Sequence, residues 1–241
     1  MRYALLSDIH GNLEALDAVL AHAAPKADAV LVLGDVVGYG ADPLACLERV
    51  AERAHAVVAG NHEHGAAGLL DLDWFNDRAR LALEWTRSRL DADHLAWLST
   101  RPLVAELDDA TLVHASPAQP GEWDYLVSAA DGYEVFGAFA TRLCFVGHSH
   151  RAGVWSVGSS GRAHEPGARE IELEAGRRYL VNVGSVGQPR DGDPRAAYAL
   201  WDVAGRHVTI ERVPYDVSTT QRKILRSGLP RFLADRLTIG A

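Results

Sequence analysis

A short segment near the amino terminus sets the fold class. It reads Tyr3-Ala4-Leu5-Leu6-Ser7-Asp8-Ile9-His10-Gly11-Asn12. The apolar run over residues 3–7 is typical of a buried strand, and Asp8 stands at its carboxyl end. Because Asp8 and His10 are two residues apart, an extended backbone points both side chains to one side. Gly11 lets the chain turn away. The segment therefore predicts a strand that ends in two metal-binding groups.

The same arrangement recurs twice along the first half of the chain. Two further apolar runs, at residues 29–33 and 56–59, end in Gly34-Asp35 and Gly60-Asn61-His62. Helical spacing of apolar residues separates the runs, and Asp42-Pro43 starts the second of these helices with a favoured cap and proline. This alternation predicts βαβ units and a largely parallel sheet, with the ligands gathered where the strands end.

Histidines follow two of the three strands predicted farther along, which span residues 111–113, 143–146 and 179–183. His114 follows the first, and Gly147-His148-Ser149-His150 repeats the two-residue spacing after the second. The five segments together supply two carboxylates, one carboxamide and several imidazoles, with no thiolate. That mixture suits two borderline divalent ions with open positions for water and substrate. An ordered set of this size predicts a two-metal hydrolase, whereas one isolated pair would be weak evidence.

The chain contains no internal repeat, low-complexity tract or linker, so residues 1–241 are predicted to form one domain. A helical insertion is expected at about residues 74–100. Residues 197–203 and 207–213 predict a hairpin about Ala204-Gly205. Residues 219–237 are basic and amphipathic and predict a helical tail. Docking on the core, or a subunit contact in a homodimer, suits this tail better than membrane binding.

Composition and charge narrow the function classes. The chain is 48% hydrophobic and 23% charged, as expected of a soluble globular protein. A net charge of −8 with no basic stripe argues against binding of duplex nucleic acid through its phosphates. A small phosphorylated substrate is still compatible with this charge, because the positive charge of bound metal ions opposes the negative net charge of the chain. The amino terminus becomes polar too early for a signal peptide, and no apolar run is long enough to span a bilayer, so a cytoplasmic location is expected.

The ordered motifs resemble those of the calcineurin-like metallophosphoesterase superfamily, which are D-x-H, G-D, G-N-H-[DE], H and G-H-x-H. Every element is matched between Ser7 and Arg151. The run Gly34-Asp35-Val36-Val37-Gly38-Tyr39-Gly40-Ala41-Asp42-Pro43 is similar to the small bacterial and archaeal phosphodiesterase branch. The resemblance implies an α/β fold, a four-layer α/β/β/α sandwich of two mixed sheets flanked by helices. It places the metals at the edge where the strand ends meet.

The resemblance also implies a ligand set for each metal. It assigns the first metal to Asp8, His10, Asp35 and His150. It assigns the second metal to Asp35, Asn61, His114 and His148, so that Asp35 is shared. The implied cofactors are two divalent transition-metal ions, with manganese expected and iron, nickel, zinc or cobalt compatible with the ligands. Two carboxylates leave a net positive charge on such a centre, which attracts phosphate, and a metal-bridging hydroxide is the implied nucleophile.

His62 has no metal role in this scheme. It directly follows Asn61, and we expect it to donate a proton to the departing oxygen or to stabilise charge on the phosphoryl group. Glu63 is a weaker candidate, which either orients His62 or caps the following segment. The first hypothesis is therefore a phosphodiesterase acting on a diester or small nucleotide. The alternatives are a phosphomonoesterase or protein phosphatase of the same superfamily, and a non-catalytic scaffold, which would have no need for His62.

Three residues are candidates for substrate binding, namely Tyr39, Asn76 and Arg190. The protein phosphatase branch has an aspartate and an arginine where this chain has Gly38 and Tyr39, which argues against a phosphoprotein substrate. Arg190 either replaces that arginine from another loop or forms a surface salt bridge. Asn76 either faces the site from the helical insertion or caps the helix that follows it.

Overall fold

The computed structural model describes residues 1–241 and contains two six-stranded β-sheets and eight α-helices. The strands are β1 Arg2–Leu6, β2 Ala29–Val32, β3 Ala54–Val57, β4 Val104–Leu107, β5 Ala110–Val113, β6 Leu143–Val146, β7 Gly153–Gly158, β8 Gly161–Pro166, β9 Glu170–Glu172, β10 Arg178–Asn182, β11 Ala196–Asp202 and β12 His207–Val213. The helices are α1 Leu13–Ala23, α2 Pro43–Arg53, α3 Asn61–Ala67, α4 Asp77–Arg87, α5 Ala92–Ser99, α6 Ala129–Glu134, α7 Val217–Arg226 and α8 Arg231–Asp235. None of these helices has the length and apolar character needed to cross a membrane.

Both sheets are mixed. The first has the order β3-β2-β1-β11-β12-β9 and the second β4-β5-β6-β10-β7-β8. Parallel pairing is confined to β1–β2, β2–β3, β5–β6 and β6–β10, and all other neighbours are antiparallel. The expectation of a largely parallel sheet is therefore wrong outside these two groups of three strands. Within each group the carboxyl ends lie at one edge of the sheet.

Alternation along the strands divides their side chains among three apolar layers. Leu5 and Leu31 of the first sheet meet Phe145 and Val181 of the second in a core of 20 buried residues. The other face of the first sheet packs with α1, α2, the helical insertion and the tail in a cluster of 30 buried residues. A cluster of 9 covers the outer face of the second sheet beneath α6. The result is the expected four-layer α/β/β/α sandwich.

The helices follow the sequence signals closely, with one correction. Asn12 caps α1, since its Oδ1 accepts a hydrogen bond from the Ala15 amide at 3.1 Å. The tail is not one continuous helix. It divides into α7 and α8 because Gly228 has a φ of +74° and Pro230 lacks an amide hydrogen. The short strand β4, which no pattern predicted, pairs antiparallel with β5.

The loop between β10 and β11 packs tightly against the end of β1. The Gly187 amide donates to the Asp8 carbonyl at 2.9 Å, and the Gly187 carbonyl accepts from the Asn12 side chain at 2.8 Å. A Cβ atom at Gly187 would lie only 1.8 Å from the carbonyl oxygen of Ile9. No residue larger than glycine fits here without moving the backbone that carries Asp8.

Replacing Gly187 by alanine is therefore expected to destabilise the fold. The clash is with backbone, which cannot rotate away, so Gly187→Ala should lower the free energy of unfolding by about 1–3 kcal/mol. Urea denaturation measures this change. Gly137→Ala is the matched control, because a Cβ atom there meets nothing within 4 Å. Equal stability of the two variants would contradict the close approach of the loop to β1.

Candidate metal centre

The predicted ligands and His62 converge at the edge where the parallel strands of both sheets end. Asp8 and His10 follow β1, Asp35 follows β2, and Asn61 begins the helix after β3. His114 follows β5, while His148 and His150 follow β6. All eight side chains are buried, although the residues come from segments as far as 142 positions apart. The eight residues are Asp8, His10, Asp35, Asn61, His62, His114, His148 and His150.

One group of donor atoms lies at the end of β1. Asp8 Oδ1 lies 3.2 Å from His150 Nε2 and 3.8 Å from His10 Nε2. The ligand atoms of these three residues all fall within 4.8 Å of one another. These three residues are among the four that the resemblance assigned to the first metal.

A second group lies beside the first and is joined to it by Asp35. Asp35 Oδ2 lies 3.3 Å from His114 Nε2 and 3.6 Å from His10 Nε2. Asp35, His114 and His148 meet the same 4.8 Å criterion, and so do His10, Asp35 and His62. One carboxylate oxygen therefore faces a histidine of each group, as expected of a shared ligand.

Backbone carbonyls orient three of the imidazoles. Nδ1 of His10 lies 3.1 Å from the Val37 carbonyl oxygen. The corresponding distances are 2.7 Å from His114 to the Leu33 carbonyl and 2.6 Å from His150 to the Gln188 carbonyl. When Nδ1 donates its hydrogen to a carbonyl, Nε2 is left with a lone pair that points into the site. These hydrogen bonds to backbone carbonyls thus present all three rings as Nε2 ligands.

Several polar atoms in the centre lack the partners that a protein interior normally supplies. Nε2 of His10 and Nε2 of His150 face each other at 3.2 Å, although both rings use their Nδ1 hydrogen elsewhere. Asn61 Oδ1 and His148 Nε2 are buried without any hydrogen bond. Each unpaired group costs about 1–3 kcal/mol. Divalent cations relieve all of these costs together, so the residues present fit a pair of metal ions.

The charge states suit metal binding as well. Burial lowers the pKa of His148 to about 3 and the pKa of His10 well below its ordinary value, which keeps both rings neutral. Burial alone would raise the pKa of Asp35, but the nearby His114 and His62 rings hold it well below its usual range. Asp35 in turn raises the pKa of His114 to about 9 against the effect of burial. Ionised carboxylates and mostly neutral imidazoles are the forms that bind metals.

His62 lies among aromatic rings. Its ring centroid is 4.5 Å from that of Tyr39, 4.7 Å from that of His10 and 5.4 Å from that of Phe75. Its Nδ1 has no hydrogen-bond partner, and a Cβ atom at Gly38 would lie 2.1 Å from it. Burial lowers the pKa of His62 to about 4. The ring is thus held by packing, and no carboxylate fits at position 38 to orient it.

Glu63 holds the backbone beneath the centre. One carboxylate oxygen accepts from the amides of Asp35 at 2.6 Å and Gly60 at 2.7 Å. The other accepts from Val36 at 2.8 Å and Val37 at 3.3 Å. Burial and the Asp35 carboxylate raise the pKa of Glu63 to about 7 against these donors. Glu63 therefore caps the start of α3 and ties it to the Asp35 loop.

The three candidate substrate-binding residues line one cavity of about 180 Å³ together with four of the ligands, Asp35, Asn61, His148 and His150. Tyr39 borders it beside His62. Asn76 borders it from the helical insertion and also caps α4, since its Oδ1 accepts from the Arg78 and Ala79 amides. The two readings of Asn76 are thus compatible in the structure.

Arg190 bonds to an amide and not to a surface carboxylate. Its Nη2 donates to Gln188 Oε1 at 2.9 Å, while its Nε is buried without a partner. Arg236, which follows α8, donates to the same Gln188 oxygen at 2.8 Å. Two guanidinium groups are therefore linked at the edge of the cavity.

Sequence reasoning missed four residues at this site. Gln188 and Arg236 hold Arg190 in place, and the rings of Trp74 and Tyr125 line the cavity. None of the four belongs to a recognisable motif. Only Gln188 carried a signal, because it lies two residues before Arg190, which the sequence had already made a candidate.

Comparison with known proteins agrees with this geometry. The family described as calcineurin-like phosphoesterase superfamily domain matches residues 1–206. An uncharacterized protein of Methanocaldococcus jannaschii is 38% identical over 98% of this chain and 97% of its own length. A symmetrical bis(5'-nucleosyl)-tetraphosphatase of Glaesserella parasuis is 33% identical, but the match covers 54% of this chain and 50% of that enzyme.

Solved structures show the same relationship. A metallophosphoesterase from Sphaerobacter thermophilus is 41% identical with a TM-score of 0.87, and the match covers 100% of this chain and 99% of that one. A hypothetical protein from Pyrococcus horikoshii shares the fold with a TM-score of 0.80 at 19% identity, over 100% and 98% of the two chains. The chain therefore belongs to the calcineurin-like phosphoesterase superfamily, a group of metal-binding phosphoric ester hydrolases.

Proposed function

We propose that the protein is a phosphodiesterase that depends on two divalent metal ions. The observation that carries the proposal is the pair of ligand groups joined by Asp35 Oδ2, with His62 beside them in the same cavity. Ions bound there would act as Lewis acids and make water nucleophilic at neutral pH. Manganese is the metal we expect, and the nitrogen and oxygen ligands also accept iron, nickel, zinc or cobalt.

Arg190 is suited to holding the phosphoryl group. It lines the cavity with the ligands, and its buried Nε lacks an acceptor that a phosphoryl oxygen would supply. The hydrogen bond that Arg190 donates to Gln188 Oε1 fixes the guanidinium, and Arg236, which donates to the same oxygen, adds positive charge nearby. A charge-assisted hydrogen bond from arginine is among the stronger contacts for phosphate.

His62 is suited to the leaving-group side. Its ring lines the cavity, and its backbone amide donates to Asp35 Oδ1 at 2.9 Å, which places the ring next to the shared ligand. Even the neutral imidazole carries one N–H, which can donate to the departing oxygen or to the phosphoryl group.

The surroundings of His62 favour a diester over a phosphoprotein. Tyr39 occupies the position of the phosphate-binding arginine of protein phosphatases, and no side chain fits at Gly38. Arg190 is the one arginine that lines the cavity. A diester carries a single negative charge, whereas a monoester at neutral pH carries closer to two, so one guanidinium suits the diester better.

A non-catalytic scaffold is the second candidate, and the geometry disfavours it. A binding surface has no use for buried polar atoms without partners, yet Asn61 Oδ1, His148 Nε2 and His62 Nδ1 are all of this kind. Such groups lower the stability of the fold unless a bound metal ion or substrate supplies the missing partner.

Loss of the shared carboxylate is expected to remove both metal and activity. Asp35→Asn should reduce the bound metal from two ions to one or fewer per chain, and kcat/KM should fall at least ~100-fold, since even outer-shell partners of a metal contribute about 10–100-fold. Metal content by mass spectrometry and turnover of bis-p-nitrophenyl phosphate measure these effects. Asp28→Asn, at an exposed aspartate paired with Arg2, is the control. Full metal content with unaffected turnover would remove the shared role of Asp35.

Replacement of His62 is expected to slow catalysis without releasing metal. His62→Gln should lower kcat by about 10²–10⁴-fold, the usual contribution of a proton donor. The loss should be greater for an alkyl leaving group than for p-nitrophenolate, which departs without a proton. Steady-state kinetics on both ester types, with metal analysis, tests this, and exposed His55→Gln serves as the control. A loss below tenfold for both leaving groups would contradict the assignment.

The diester preference is tested with the metal-reconstituted protein on two related substrates. We expect kcat/KM to be at least ~10-fold higher for bis-p-nitrophenyl phosphate than for p-nitrophenyl phosphate, a difference of about 1.4 kcal/mol in transition-state binding. Both reactions release p-nitrophenolate, so a single absorbance assay compares them. Faster hydrolysis of the monoester would refute the phosphodiesterase proposal and favour a phosphomonoesterase.

A further inference from the structure

We infer that the site takes nucleoside-bearing phosphodiesters and that a nucleobase stacks on the exposed rings of Trp74 and Tyr125. The inference deepens the proposed function and rests on it. It assigns a role to two residues that belong to none of the metal-binding motifs.

The cavity is too small for a whole nucleotide. Its volume is about 180 Å³, whereas pockets that enclose drug-sized ligands usually have roughly 300–1,000 Å³. Four of the ligands and Arg190 line its walls, so the cavity accommodates the phosphoryl end of a substrate. The organic part must then extend across the rim.

Two large aromatic rings stand at that rim with half of their surface exposed. Trp74 is 49% exposed and Tyr125 is 51% exposed, and both line the cavity. Among aromatic residues, only Phe232 is otherwise exposed to a comparable extent, and its ring is covered by the guanidinium of Arg78. Exposed aromatic surface concentrated at a site marks a place where a ligand is bound.

Each ring is fixed by contacts on its inner side. Tyr125 stacks on the ligand His148 with centroids 4.0 Å apart and planes 23° apart. Trp74 packs edge-on against Phe75 at 5.2 Å, and Phe75 packs in the same way against His62 at 5.4 Å. Because these contacts restrain the rings, a base that stacks on them loses little additional side-chain freedom.

The charge beside the rings fits the phosphate of a nucleotide. The guanidinium carbon of Arg190 lies 5.8 Å from the centroid of the Tyr39 ring, and Arg190 lines the same cavity as Tyr125. An aromatic platform next to a guanidinium is the combination that binds a base together with its phosphate, and base stacking tolerates different bases. A simple alkyl diester would use the arginine and leave both rings exposed.

The test compares two diesters that differ only in the group that does not leave. Thymidine 5'-(p-nitrophenyl phosphate) and methyl p-nitrophenyl phosphate release the same leaving group. With the metal-loaded protein we expect kcat/KM to be about tenfold higher for the thymidine ester, a value within the range of base stacking on one ring. The gain should appear mainly in KM. Equal values for the two esters would overturn the inference.

Paired double variants locate the effect. Trp74→Ala combined with Tyr125→Leu should bring the ratio of the two kcat/KM values close to one. Trp74→Phe combined with Tyr125→Phe keeps both rings and should keep the ratio. Metal analysis verifies that His148 still binds its ion. A ratio that survives loss of both rings would place the nucleoside elsewhere and refute the assignment.

A binding measurement separates failure of this inference from failure of the proposed function. By calorimetry, adenosine 5'-monophosphate should bind the metal-loaded protein about tenfold more tightly than ribose 5-phosphate, because only the former has a base to stack. If neither diester is hydrolysed, the proposed phosphodiesterase activity is wrong, yet a tenfold difference in Kd still supports the stacking rings. Equal Kd values would overturn the inference whatever the activity.

Discussion

The metal centre depends on backbone held in the left-handed region at its ligands. Six of the nine non-glycine residues with positive φ belong to the site, with φ between 51° and 62°. This conformation costs roughly 1–2 kcal/mol per residue, so surrounding contacts must enforce it. The Glu63 carboxylate holds the backbone at Asp35 in this conformation by accepting four hydrogen bonds from backbone amides. The Asp8 and His10 amides also bond to the next strand end, at the Gly34 and Asp35 carbonyls. The six residues are Asp8, His10, Asp35, Tyr39, His148 and His150.

Much of this arrangement could be predicted because it follows from strand order. The carboxyl ends of β1, β2 and β3 share one edge, as do those of β5, β6 and β10, so polar residues after each strand must come together. Local periodicity located these strands to within two or three residues. It did not predict the mixed sheets, which came from the resemblance to the superfamily. Antiparallel strands such as β11 and β12 carry none of the ligands, so the spacing of the ligands does not indicate where these strands join the sheet.

The contacts that sequence reasoning did not locate are long-range. Glu63 contacts amides 26–28 residues away, and Arg236 reaches Gln188 across 48 residues. A one-dimensional pattern reports the neighbours of a residue along the chain but not its neighbours across the fold. The break between α7 and α8 is different, because Gly228 and Pro230 signalled it locally and the amphipathic pattern concealed it. Beyond that break, Arg236 donates to the same Gln188 oxygen as Arg190.

The site thus has two parts with different origins in the chain. The phosphoryl end is built from strand ends within residues 1–206, the range that matches the superfamily. The rim is built from segments between these strands, with Trp74 before α4 and Tyr125 in the loop after β5, and Arg236 lies beyond residue 206 altogether. Ligand geometry constrains the first part, since a shift of any strand end separates the donors. The rim carries no such constraint, so we propose that the side chains of the rim, rather than the ligands, determine which ester this protein accepts.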